Sequence, residues 1–98
     1  MLKKTIIALA LFSGCASAAT GNDLYKWHNS DQYSVQGYYS GYISASVQWI
    51  DGICPAAGVT EQQVWDIVYN WLVKYPQSRH LDSRVIIEMA MREAFPCS

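Results

Sequence analysis

The sequence predicts an all-α fold, a small bundle of about four helices stapled by one disulfide. Three observations carry this expectation. Beyond Thr20, apolar residues recur at steps of three and four, the period of a helix face. Thr60 with Gln63, and Asp82 ahead of an apolar run, mark two helix starts. Cys54 and Cys97 are the two cysteines left once an N-terminal export segment is set aside.

That segment is read first. Met1-Leu2-Lys3-Lys4 is a basic start, residues 6–12 form a short apolar run, and Ala16-Ser17-Ala18-Ala19 offers small residues for cleavage. Residues 1–19 are therefore expected to be a signal peptide and residues 20–98 a single domain, beginning at Thr20. The apolar run is too short to span a bilayer. Two other readings stand beside this one. The segment could be a buried N-terminal helix. Alternatively, Phe12-Ser13-Gly14-Cys15 resembles a lipobox, with Phe in place of the preferred Leu, and cleavage there would put a lipid anchor on Cys15.

The chain from Thr20 onward is enough for one small domain, and domains of this size benefit from a covalent staple. All 8 acidic residues fall in it, against Lys26, Lys74, Arg79, Arg84 and Arg92. A mildly acidic domain without a basic cluster argues against a nucleic-acid partner. Repeats, low-complexity tracts and linkers are not seen.

The elements follow in order. Residues 21–30 form a short first helix, with Leu24 and either Trp27 or His28 on one side, and Asn22 or Asp23 as cap. A second helix is expected over residues 33–53, with Val35, Tyr39, Tyr42, Ser46, Trp49 and Ile53 as its stripe. Gly37 and Gly41 each cost about 1 kcal/mol in a helix interior. Gly41, Ala45 and Ser46 are small enough to permit close helix approach. Val, Ile and Tyr also suit strands, so a strand remains the alternative here. Thr60 and Gln63 form a capping box for the third helix, Val59 and Val64 its hydrophobic staple, and Val64, Ile67, Val68, Trp71 and Leu72 its buried stripe. Lys74 suits the negative end of that helix and Pro76 stops it. Asp82 caps the last helix, Leu81 and Ile86 staple it, and Val85, Ile86, Met89 and Ala90 supply its core face.

In an oxidising compartment Cys54 and Cys97 have only each other to pair with, tying the end of the second helix to the tail. Little else looks chemical. Cys54 with His28 or His80 would make a nucleophile pair, but a disulfide half is the commoner role in an exported domain. The histidines lack companions for a zinc site. Glu88 and Glu93 are five apart and do not share a helix face, so paired-carboxylate hydrolysis has no support. Neither a catalytic set, a metal nor a cofactor is expected. The many tyrosines and tryptophans split between core and surface. Tyr38 with Tyr42, and Trp65 with Tyr69, sit four apart, and Tyr38, Trp65 and Tyr69 lie off the main stripes. An exposed aromatic patch there would suit a protein partner or stack on sugar rings.

Several short motifs fall in a recognisable series: Gly21-Asn22-Asp23-Leu24, Gly41-Tyr42-Ile43, Cys54-Pro55, Gly58-Val59-Thr60 with Gln62 or Gln63, Pro76 with Arg79-His80-Leu81, and Ala94-Phe95-Pro96-Cys97. In this order and spacing the chain resembles the Rap/Tai family, periplasmic immunity proteins against type VI secretion amidase effectors. The resemblance covers essentially all of residues 20–98. It implies a small helical fold without enzymatic activity that binds a cognate peptidoglycan amidase and occludes its groove, often as a homodimer. Two departures stand out. Relatives carry a second cysteine pair at positions matching His28 and Tyr39, which implies that these two side chains pack together here. Ala45 stands where relatives often have Gly.

The expected function is that of a periplasmic immunity protein. Asp51, Glu61, Gln62 and Trp65 are candidate partner-binding residues on a polar loop over residues 51–59 and the helix start that follows. A periplasmic chaperone or envelope-binding protein with an aromatic surface is the alternative. The bridge itself is testable. Closing its loop removes roughly 4 kcal/mol of unfolded-state entropy, comparable with the net stability of a small domain. Cys97→Ser is therefore expected to leave a poorly folded or rapidly degraded chain. An unchanged melting temperature would show that the bridge contributes nothing.

Overall fold

The structure, a computed structural model, describes residues 19–98. The expected signal segment and the lipid-anchor reading at Cys15 lie outside the described residues. Four helices follow one another: α1 (Gly21–His28), α2 (Tyr33–Val47), α3 (Glu61–Lys74) and α4 (Ser83–Ala94), with a 3₁₀ turn at Pro76–Ser78 between the last two. Leu24, Tyr39, Ile43, Val68, Trp71, Leu72, Ile86, Ile87, Ala90 and Met91 form one core to which every helix contributes. Among the described residues no helix is long and apolar enough to cross a membrane.

The start of α1 is held by the chain that leads into α4. The N–H groups of Gly21 and Asn22 have no partner inside the helix. They donate to the carbonyls of Leu81 (3.0 Å) and Arg79 (2.8 Å). In return the Ser83 N–H, the first of α4, donates to the Ala19 carbonyl at 2.8 Å. Thr20 and Asp82 form the isolated β-bridge at the centre of this exchange. Thr20, rather than Asn22 or Asp23, is the N-cap of α1. Asp23 instead reaches back from the first turn, its carboxylate accepting the Thr20 N–H at 2.9 Å. A carboxylate there also faces the positive end of the helix.

Gly21 is buried because the approach is so close. A Cβ at this position would lie 2.9 Å from the Arg79 carbonyl oxygen and run into Ile86 Cδ1. Arg79 works in two directions. Its carbonyl receives Asn22, while its Nε donates to the Leu72 carbonyl at 2.8 Å in the last turn of α3. Its guanidinium lies over the Tyr25 ring, 3.8 Å from the centroid. The motifs at residues 21–24 and 79–81 are thus two halves of one contact.

The second helix is shorter than the periodicity predicted. It ends at Val47, and Trp49 and Ile50 donate to the Ser46 and Val47 carbonyls in tight turns. Gly52 then takes φ +78, a conformation natural only to glycine. Of the predicted stripe, Tyr39 is buried and Tyr42 and Ile53 pack partly buried against the core, but the stripe misses Ile43, which is fully buried. Trp49, placed in that stripe by its spacing, is 87% exposed. Helical phase cannot be carried past the end of the helix. Gly37 and Gly41 lie on the outer face, where an added Cβ would meet nothing within 4 Å, so Gly41 does not serve the close helix approach expected of it.

α3 follows the sequence reading closely. Its capping box is complete, with Gln63 N–H to Thr60 Oγ1 (3.2 Å) and Thr60 N–H to Gln63 Oε1 (2.8 Å). Val68, Trp71 and Leu72 are buried, and Val64 and Ile67 pack at the rim. Asp82 caps α4 by accepting the Arg84 N–H at 2.8 Å. The core face of α4 is rotated from the predicted one. Ser83, Ile86, Ile87, Ala90 and Met91 are buried, while Val85 and Met89 are exposed. Val85, Ile86 and Ile87 are consecutive, so apolarity alone allows two phases. Buried Ser83 selects one of them, its hydroxyl donating to Tyr42 Oη at 2.6 Å.

His28 and Tyr39 pack together as the resemblance implied, edge to face with centroids 4.9 Å apart. His28 also stacks on Tyr69, with centroids 3.6 Å apart, and Tyr69 in turn stacks on Tyr25. Tyr39 fixes α2 to α3, its hydroxyl donating to the Trp65 carbonyl at 2.6 Å. His28 Nδ1 is buried without a hydrogen-bond partner. Burial lowers the pKa of this imidazole, opposed by Asn29 and the Asp66 charge.

This packing sets two expectations. Gly21→Ala is expected to destabilise by about 1–3 kcal/mol, as overpacking against a backbone carbonyl does. Gly41→Ala, in open space, is expected to stabilise by about 0.5–1 kcal/mol. Chemical denaturation of both variants checks the contrast, and equal effects would refute it. For His28, the unfolded chain takes up the proton near pH 6.5 and the folded chain only at lower pH. The stability tied to the neutral ring is present above pH 6.5 and is lost as pH falls through that value. The urea midpoint is therefore expected to drop as pH is lowered below about 6.5, and His28→Phe to reduce that drop.

Candidate functional site

Residues 48–60 connect α2 to α3 without regular structure. Ile50 and Ile53 pack against the core and Val59 is half-buried, while Asp51, Gly52 and residues 54–58 are exposed. A loop of this length without regular structure ordinarily carries mobility. Here it is pinned at its middle. Cys54 is disulfide-bonded to Cys97, with Cα atoms 5.0 Å apart, and the Cys54 N–H donates to the Phe95 carbonyl at 2.9 Å. Gly58 turns the chain with φ +92 just ahead of the α3 cap. Both thiols are consumed by the bridge, so Cys54 offers no nucleophile. Among the described residues no group of three His, Cys, Asp or Glu side chains lies close enough to hold a metal.

The four residues singled out from sequence fall in three places. Asp51 sits on the exposed loop just after α2. Glu61 lines a shallow depression with Pro55, Ala56, Val59 and Phe95, where the stapled loop meets the tail. Gln62 and Trp65 line another, of about 420 Å³, with His28, Tyr33, Gln36, Ser40 and Asp66. The structure thus joins Gln62 to Trp65 and places Glu61 with the loop. Trp65 is occupied structurally, its indole N–H donating to Ser44 Oγ at 2.9 Å and its carbonyl receiving Tyr39. Gln62 is tied to its neighbour Asp66 at 3.0 Å on the exposed face.

The aromatic residues are mostly turned inward on one another. Trp27 packs on Tyr38 and Tyr42, and Tyr25, His28, Tyr39 and Tyr69 form the stack already described. Tyr33, Tyr38 and Trp49 remain largely exposed. Trp49 was not singled out as a surface residue from the sequence. It stands beside a groove of about 500 Å³ between the end of α2 and the first turns of α4, lined by Ala45, Ser46, Ile50, Arg84, Val85 and Glu88. The turn signal Asp51-Gly52, two residues on, was the clue that the helix stops before Trp49 can be carried inward.

This arrangement presents an exposed, pinned loop next to a bare indole, on a bundle whose helices are joined by side-chain hydrogen bonds from Tyr39, Trp65 and Ser83. No curated protein matches the chain. A family description for Rap1a immunity proteins matches residues 20–97, nearly all of the described chain. Both ends of the match coincide with contacts of this fold, Thr20 at the α1 cap and Cys97 in the bridge. On that match the chain belongs to the Rap1a immunity protein family.

Proposed function

We propose that this protein acts in the periplasm, where it binds a cognate type VI secretion peptidoglycan amidase and occludes its substrate groove. Membership of an immunity family gives the coarser role, binding a toxin. One observation supports the finer one: the exposed loop around Cys54 is pinned by the bridge to the tail, with Trp49 standing 87% exposed at its entry. A loop held in one conformation loses little entropy on entering an enzyme cleft. An exposed tryptophan at the edge of such a loop supplies the apolar anchor that protein interfaces use. Asp51, two residues beyond Trp49, and Glu61, on the far side of the stapled loop, supply polar contacts flanking the loop.

The reading is tested by directing the product of the neighbouring gene to the periplasm, with and without this protein. Rescue from lysis is expected, and failure to rescue from any adjacent toxin sinks the proposal. Trp49→Ala should keep the wild-type melting temperature, since the side chain makes little internal contact, and should weaken effector binding by about 30-fold or more. Asp51→Ala combined with Glu61→Ala should reduce affinity by a smaller factor. Titration calorimetry against the purified effector reads both.

A further inference from the structure

Two adjacent registers satisfy the small-residue rule for removal of an export signal. Ala16 and Ala18 suit cleavage after Ala18, while Ser17 and Ala19 suit cleavage after Ala19. The sequence favoured a chain starting at Thr20. The fold distinguishes the two. Ser83 is fully buried and is the first residue of α4, where backbone N–H groups lack partners inside the helix. Its N–H is satisfied by the Ala19 carbonyl at 2.8 Å. Cleavage after Ala19 would remove that carbonyl and leave a buried donor unpaired, a cost folded proteins seldom carry. The other contact of this segment does not discriminate. The Thr20 nitrogen reaches Asp23 Oδ2 at 2.9 Å whether it is an amide or a terminal ammonium.

We propose that the chain is processed between Ala18 and Ala19, so that the mature protein begins with the residue whose carbonyl caps α4. Hydrolysis of that peptide bond consumes one water and leaves a carboxylate on Ala18 and an ammonium on Ala19. The enzyme required is a signal endopeptidase that accepts small side chains at the last and third-last positions of the leader. The proposal depends on export of the chain and on no property of its partner.

The intact mass of the protein recovered from the periplasm of a Gram-negative host expressing the full chain tests it. A mass that starts at Ala19 is expected. A mass that starts at Thr20 would overturn the site alone. An acylated start at Cys15, or an uncleaved cytoplasmic chain, would overturn the site, and the uncleaved chain would also remove the periplasmic reading. Two leader variants give an independent readout. Ala18→Leu blocks the last leader position and should accumulate precursor or shift the start to Thr20, while Ala19→Leu should be processed normally. The reverse pattern would refute the assignment.

Discussion

The contact between the first turn of α1 and residues 79–83 is the constraint on which the remaining structure depends. Each helix start needs acceptors for N–H groups that the helix cannot satisfy. Here α1 takes carbonyls from the lead-in of α4, and α4 takes one from the lead-in of α1. The exchange requires close backbone approach, so the residue at its centre is Gly21. Leu24, one turn further on, enters the core at the depth this docking permits. Ser83 is placed by the same contact, and its bond to Tyr42 sets the rotation of α4 and ties it to α2. Arg79 extends the joint to the end of α3. All four helices are therefore oriented from one small region.

The disulfide performs the complementary task at another part of the chain. It does not position helices, which the core already does. It closes the long connection between α2 and α3 onto the tail and restricts a segment that is otherwise exposed. Its contribution acts mainly on the unfolded chain, by roughly 4 kcal/mol in the loop-entropy treatment. In the folded state its consequence is local, a loop with one shape. The division suits an inhibitory binding module: one region orients the scaffold, and another displays a fixed surface.

Much of this was legible in the sequence. The α3 boundaries and caps were readable because Thr60, Gln63, Val59, Val64 and Pro76 all point to one register. Errors arose where one signal stood alone. In α2 the spacing of Trp49 and Ile53 matched a helix that had already ended. In α4 the run Val85-Ile86-Ile87 left the phase open, and only the partner of Ser83 decided it. Gly41 looked like a packing glycine, yet it faces outward. Gly21, the glycine that does pack, was read only as part of a motif. Of the candidate site, the polar loop and helix start were readable, but the half-buried setting of Trp65 and the exposure of Trp49 were not. Exposure of an aromatic depends on which face its helix turns inward.

By itself the sequence determined the helix content, the principal caps, the pairing of Cys54 with Cys97 and the family resemblance. These rest on local spacing, on counting, or on motif order, none of which needs coordinates. The tertiary structure alone decided the exchange of carbonyls between the starts of α1 and α4, the phase of α4 and the aromatic stack around His28. Each of these joins residues distant in sequence, so nothing in their local composition encodes the partner. The physical reason is that backbone donors and aromatic faces are non-specific groups. They accept many partners, and only the packed arrangement of the helices selects one.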